Sequence, residues 1–548
     1  MFSPTRIPLH RLQNAFDHIA AACHASGIQE AVLCPGSRNA PLIVAFVRSG
    51  LFRCVSVADE RSAGFIALGK ALATGKSVAL ICTSGSAGAN FYPAVLEAYY
   101  QKVPLVVLTA DRPPERIDQW DGQTIRQKNL FGSHVKGFFE TPDEYIEADE
   151  FAAISENAVQ LSQSGLKGPV HMNVPIREPF YPSVQHQYNA HWELRIKKES
   201  IQAFQDDVPS LAGKKVMVIR GFASFPKYHP HKELALYEDI VSGGSSSSTL
   251  SELLFLNKDL EELKKFQPDV LLSDGTAILS KPFKQFLRKF GPAEHYHFSV
   301  AGEIADPFES KPQLVRSHLD VFLQNREPEL VSEYSRYIIS RSEIVREKHV
   351  NFLNTNAWND FTAIRNSLNN IPRGSVLHAA NSMAVRYLAY EEPGRKGYKV
   401  YGNRGTSGID GCVSTALGFL SGSDKPNYLF VGDVAFFYDS NAFWNGLGTL
   451  PLKVILINNG GGGIFNLIDG PVDQPERLEY FETAHHRNAE KLCENLGVSY
   501  FRAENQDELL QSMAELNLSS GPAVLEVFTD RELNQQFFNQ YKSIFHGI

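Results

Sequence analysis

The residues best suited to chemistry lie between Tyr428 and Ile468, in YLFVGDVAFFYDSNAFWNGLGTLPLKVILINNGGGGIFNLI. Asp433 offers a carboxylate and Asn459 an amide carbonyl. Both are hard oxygen donors suited to Mg2+ or Ca2+, and Mg2+ commonly completes its shell with phosphate oxygens and water. Gly460 to Gly463 let the backbone approach an anion, because no Cβ stands in the way. Together these residues describe a cradle for a diphosphate and its cation. A plain strand-to-helix turn, with Asp433 as a helix cap and Asn-Gly as a turn, would use the same residue types.

Two apolar runs must position the cradle. Tyr428 to Val431 and Leu452 to Ile457 predict buried strands, and the apolar spacing of Ser440 to Leu447 predicts a helix between them. The right-handed crossover of such a unit brings the carboxyl ends of both strands to one sheet edge, so Asp433 and Asn459 are expected to be neighbours.

A chain of 548 residues with 43% hydrophobic content can bury several cores, and three domains suit its length. Net charge of −8 and the lack of any basic run argue against nucleic acid as a partner. An anionic substrate must then be met by a local cluster of arginines. The six cysteines form no CxxC pair, as expected for reduced thiols in a cytoplasmic protein. No apolar stretch reaches membrane-spanning length, and Met1 to Ala20 has no signal-peptide core, so a soluble protein is expected.

Internal similarity divides the chain further. Val32 to Ser37 pairs with Val376 to Asn381, Pro104 to Leu108 with Pro451 to Leu456, and Gly168-Pro169-Val170 with Gly521-Pro522-Ala523, each pair separated by about 350 residues. The expectation is two α/β domains of one ancestry, 1–185 and 350–548. Between them, 186–349 carries strand candidates at Val216 to Arg220, Val270 to Ser273 and Tyr296 to Val300, a smaller Rossmann-like unit without GxGxxG. Gly243 to Ser248 reads as a surface loop within it. The fold class is thus α/β, three doubly wound domains.

In the first domain, Val55 to Phe65 ends a strand with Asp59-Glu60 and opens a helix of small residues. Glu60 is either a first-turn acid favoured by the helix dipole or, beside a diphosphate cradle, a partly buried carboxylic acid able to exchange a proton.

The two-domain repeat, that glutamate, and Gly432-Asp433 with Asn458-Asn459 resemble the thiamine-diphosphate decarboxylase superfamily. Within it, CPGSRNAPL (Cys34 to Leu42), DERSAGF (Asp59 to Phe65), TADRPPE (Thr109 to Glu115), IRQ (Ile125 to Gln127), NSMAVR (Asn381 to Arg386), NRGTSGIDG (Asn403 to Gly411) and NNGGGGIF (Asn458 to Phe465) resemble 2-succinyl-5-enolpyruvyl-6-hydroxy-3-cyclohexene-1-carboxylate synthases of menaquinone biosynthesis. The match covers the first and third domains and is sparse in the middle one.

The resemblance implies thiamine diphosphate with Mg2+ or Mn2+ held by Asp433, Asn459 and the Gly461 carbonyl, beside Gly432. Glu60 would meet the pyrimidine, from the neighbouring subunit of a homodimer or homotetramer, and Ile409 would wedge the cofactor into a bent shape. The substrates implied are 2-oxoglutarate, decarboxylated first, and isochorismate, to which the resulting succinic semialdehyde carbanion adds in a Stetter-like manner. Both are dianions, and Arg pairs a carboxylate with two charge-assisted hydrogen bonds. Arg38, Arg112, Arg386 and Arg404 are therefore the candidate substrate cations, with Ser37, Gln123 and Ser382 as neutral partners and Lys281 as the middle domain's contribution. Phe436, Phe437, Ile464 and Phe465 are candidates for an apolar lining. Val434 stands where the broad superfamily has Gly, a change that this branch tolerates; the chain departs from the family at Gly122, where Asn is common, and at Pro282, where a second basic residue is usual, which puts the contacts near those two positions in doubt.

Overall fold

The computed structural model describes residues 9–143, 147–195, 208–224, 227–230, 232–243, 248–256, 259–355, 357–467 and 470–547. Ile468 and residues 244–247 of the expected surface loop lie outside them. Runs of apolar residues made three all-parallel sheets, as strands buried on both faces require. The first holds β1 (Glu30–Leu33), β2 (Arg53–Ser56), β3 (Val78–Cys82), β4 (Leu105–Asp111), β5 (Phe138–Glu140) and β6 (Val170–Pro175), in the order β2-β1-β3-β4-β6-β5. The middle sheet holds β7 (Val216–Arg220), β8 (Leu236–Glu238), β9 (Val270–Asp274), β10 (Glu294–Phe298) and β11 (Gln313–Val315), in the order β11-β10-β9-β7-β8. The third holds β12 (Val376–Ala379), β13 (Lys399–Tyr401), β14 (Asn427–Gly432), β15 (Lys453–Asn458), β16 (Ser499–Ala503) and β17 (Ala523–Phe528), ordered β13-β12-β14-β15-β17-β16. Written in chain order, the first and third sheets have the same strand sequence, so the internal similarity is also a repeat of topology.

Two sequence expectations shift. The strand expected at Tyr296 to Val300 begins at Glu294, because His295 and His297 both reach the Ser273 hydroxyl (2.7 and 3.0 Å) and anchor the polar start of the run. The helix expected over Ser440 to Leu447 instead occupies Asp433–Tyr438, followed by a 3-10 turn at Ser440–Phe443. Asn445 explains the change: its Nδ2 donates to Ala442 O (2.6 Å) and its Oδ1 accepts from Leu447 N (2.9 Å), local bonds that compete with the helical ladder.

The chain packs as two compact units, Met1–Ser200 with Asn403–Asp424 and Tyr438–Leu450, and Ile201–Gly402 with Lys425–Phe437 and Pro451–Ile548. In the first unit the helices Glu60–Thr74 and Cys412–Leu420 cross at glycines: a Cβ on Gly69 would stand 2.1 Å from Thr415 O, and one on Gly418 2.1 Å from Ile66 O. In the second, a single apolar cluster joins residues of the middle sheet, such as Met217 and Leu271, to residues of the third, such as Leu377 and Ile455. Among the described residues no helix is long and apolar enough to cross a membrane.

Each sheet also buries a histidine. His171 (β6), His295 (β10) and His378 (β12) are pushed down to about 3, 4 and 4, chiefly by burial. The unfolded chain takes up these protons near pH 6.5 and the folded chain only near 4, so stability is expected to fall as pH drops between those values. Melting temperature against pH tests this: His378→Gln should flatten the slope over that window, and an unchanged slope would contradict the assignment.

Candidate functional site

In the second unit, β14 and β15 pair in register with Gly432 opposite Ile457, which sets Asp433 and Asn459 side by side at the sheet's carboxyl edge. They line one cavity of about 40 Å3 together with Asp360, Asn381, Ser382, Gly432, Gly461 and Ile464. That space exceeds the minimum for a single water or ion.

Asp433 is almost fully buried and its carboxylate gathers backbone donors. Oδ1 accepts from Val434 N (2.7 Å), and Oδ2 from Gly460 N (2.8 Å) and Gly461 N (2.9 Å). Burial nevertheless pushes its pKa up to about 7, since the amides offset only part of the lost hydration. The glycine turn depends on its residue type: Gly460 and Gly461 have φ of +78° and +153°, and a Cβ on Gly461 would lie 2.6 Å from Glu482 O. Asn459 donates Nδ2 to Asp360 Oδ2 (2.8 Å), while its Oδ1 is buried with no hydrogen-bond partner among the described residues. A buried carboxylate and an orphaned amide oxygen on two side chains that line one cavity suit a hard cation, and the residues present fit a magnesium diphosphate.

Ser382, at φ +73°, immediately precedes the helix Met383–Tyr390 without a side-chain capping bond, and Arg386 in that helix donates back to the Ser382 carbonyl. Burial lowers the Arg386 pKa. Lys281 opens the helix Lys281–Lys289, is exposed, and does not line the cavity; Pro282 fills the next helical position. Of the expected apolar lining, only Ile464 faces the cavity. Phe436 is buried and Phe437 and Phe465 are half-buried away from it, Phe437 against His485 (5.7 Å between centroids).

The first unit assembles the other candidates. Arg38 is 5% exposed, donates to the Ile176 carbonyl and lies 4.4 Å from the Phe180 ring centre. Burial, and then the nearby Arg112 guanidinium, bring its pKa down to about 10. Glu178, Asp111 and Asp121 offset part of that repulsion. Arg112 donates to Gly122 O (2.6 Å), so the position where the family favours Asn contributes its carbonyl to fixing this arginine. Ser37 and Gln123 are exposed, Gln123 at φ +54° against Gly85.

Glu60 is half-buried at the start of its helix, and its neighbours are tethered. Asp59 Oδ2 accepts from Asn441 Nδ2 (2.8 Å), and Arg61 donates to Tyr438 O (2.8 Å) while lying over the Tyr438 ring. Arg404 and Ile409 belong to the loop before the helix Cys412–Leu420, and Ile409 is 37% exposed. That loop is anchored by the buried Glu97, whose carboxylate accepts from Gly405 N (2.6 Å), Thr406 N (2.7 Å) and the Thr406 hydroxyl (2.7 Å).

Sequence reasoning missed Glu97, Asp360 and His485, the last with Nε2 3.5 Å from Asp433 Oδ2. Asp360 carried only the mark of a first-turn helix acid after Asn359, and neither of the others lies in a motif.

Two family models match: residues 13–130 correspond to the thiamine pyrophosphate enzyme N-terminal TPP binding domain, and 380–527 to its C-terminal TPP binding domain. Full-length similarity extends further. A 2-succinyl-5-enolpyruvyl-6-hydroxy-3-cyclohexene-1-carboxylate synthase of Cytophaga hutchinsonii is 37% identical over 94% of this chain and 96% of its own. One of Flavobacterium johnsoniae is 37% identical over 95% and 97%, and one of Bacteroides fragilis 33% identical over 95% and 97%. The chain belongs to the 2-succinyl-5-enolpyruvyl-6-hydroxy-3-cyclohexene-1-carboxylate synthase family. As a member of this synthase family it carries both thiamine diphosphate-binding domains, with Glu60 in the first match and the Asp433–Gly461 cradle in the second.

Proposed function

We propose that the chain decarboxylates 2-oxoglutarate and joins the remaining four-carbon fragment to isochorismate by a Stetter-like 1,4-addition. The product is 2-succinyl-5-enolpyruvyl-6-hydroxy-3-cyclohexene-1-carboxylate, with release of CO2, in the menaquinone pathway of the cytoplasm. The observation that carries this reading is the cavity lined by both Asp433 and Asn459, the latter with a buried, unpartnered amide oxygen. Asp433, Asn459 and the Gly461 carbonyl would hold Mg2+ or Mn2+, and Gly432 and Ile464, which line the same cavity, would lie toward the diphosphate. Thiamine diphosphate, when bound, supplies the carbon nucleophile and the electron sink that the side chains lack.

The protein's part is orientation, charge pairing and exclusion of water. With the cofactor bound, Glu60 would hold and move the proton at the pyrimidine, and the partly exposed Ile409 would pack against the cofactor. Arg38, Arg112, Arg386 and Arg404 pair the substrate carboxylates, assisted by Ser37, Gln123 and Ser382. The domains follow as 1–185 for the pyrimidine, 186–349 as the central unit and 350–548 for diphosphate and metal, in a homodimer or homotetramer whose sites lie between subunits.

The test is purified protein with Mg2+, thiamine diphosphate, 2-oxoglutarate and isochorismate, followed by loss of isochorismate absorbance. Consumption of isochorismate that depends on all components is expected. CO2 release from pyruvate but not from 2-oxoglutarate would instead indicate an acetolactate-synthase-like lyase.

A further inference from the structure

An amide side chain has two ends of nearly equal shape, and only its oxygen can ligate a hard cation. Nothing in the covalent structure of Asn459 decides which end faces the cavity. Asp360 does: an ionised carboxylate only accepts hydrogen bonds, and its Oδ2 stands 2.8 Å from Asn459 Nδ2. Turning the amide over would set oxygen against oxygen at that distance. The carboxylate is itself locked in place. Asp360 is 3% exposed, its Oδ1 accepts from the Thr529 hydroxyl, its backbone N–H donates to Asn534 Oδ1 (2.8 Å), and Asn534 Nδ2 donates to Thr529 Oγ1 (3.3 Å). Consistent with this, Asn459 lines the cavity and its Oδ1 is buried without a partner among the described residues.

We propose that Asp360 is a positioning residue that holds the Asn459 amide with its oxygen toward the cation, preorganising the cavity before metal and diphosphate arrive. The inference rests on the metal reading given above and deepens it. Its carboxylate also adds negative charge behind the ligand, as outer partners of metal sites commonly do.

The test uses full-length, metal-stripped protein titrated with Mn2+ in the presence of thiamine diphosphate, reading free Mn2+ by electron paramagnetic resonance. Asp360→Asn is nearly isosteric but lets either end of its own amide face Asn459, so the enforced orientation is lost. Mn2+ affinity is expected to fall about 10- to 100-fold, with little change in melting temperature. The swap Asp360→Asn with Asn459→Asp keeps the hydrogen bond with donor and acceptor exchanged, and presents a carboxylate oxygen to the cavity whichever way it turns. It should restore most of the lost affinity. Unchanged Mn2+ binding in Asp360→Asn would overturn the proposal, and so would a loss that the swap fails to recover, since that would mean a purely structural role. Failure of the unaltered protein to bind Mn2+ with thiamine diphosphate would remove the metal reading itself, an outcome distinct from both.

Discussion

Asp433→Ala is expected to abolish retention of thiamine diphosphate and Mg2+ and to lower turnover by about 10^3-fold or more, because a bound cation supplies several kcal/mol of charge stabilisation. The carboxylate is the charged member of the donor set, and Asn459 and the Gly461 carbonyl are neutral. Its loss also strands the amides of Val434, Gly460 and Gly461, which converge on it from 2.7 to 2.9 Å. Each buried donor left without an acceptor costs about 1–3 kcal/mol, so the glycine turn should loosen as well. Asp433→Asn removes the charge at nearly constant shape and keeps one acceptor oxygen, while its NH2 faces the remaining N–H donors, so it strands fewer amides than alanine does. Isothermal titration with thiamine diphosphate and Mg2+ measures the loss directly. Affinity in Asp433→Asn within about tenfold of the unaltered chain, a difference of about 1.4 kcal/mol, would show that the charge is not what holds the cation.

Glu60→Gln should behave differently, leaving cofactor binding almost unchanged while turnover falls about 10^2- to 10^4-fold, the usual worth of a positioned general acid or base. Asp59 and Arg61 on either side are tied to Asn441 and Tyr438, so the backbone at position 60 is held independently of its own side chain. The substitution then removes the exchangeable carboxyl proton and little else. Turnover and cofactor titration on one preparation decide the matter; near-normal turnover would remove Glu60 from the proton exchange.

The contrast between these two residues shows what each level of description contributes. Asp433 and Asn459 were legible because strand-end positions follow from apolar runs and crossover handedness, both of which are local or generic. The duplicated topology was legible for a similar reason, since repeated apolar runs produce repeated strands in one order. The helix placed at Ser440 to Leu447 was misjudged because apolar spacing does not register Asn445 bonding to Ala442 and Leu447. Lys281 carries a suitable charge but stands exposed and off the cavity, a matter of where its helix packs.

By itself the sequence determined the family, the three parallel sheets and the two neighbouring side chains at the strand ends, because motifs and hydrophobic periodicity are written in neighbouring residues. Only the tertiary structure decided that Asp360 faces Asn459, that Glu97 grips the loop of Arg404 and Ile409, and that Arg38 lies close to Arg112. Those partners are far apart along the chain. Their meeting depends on how helices and loops settle on the sheets, and no spacing in the sequence encodes that separately.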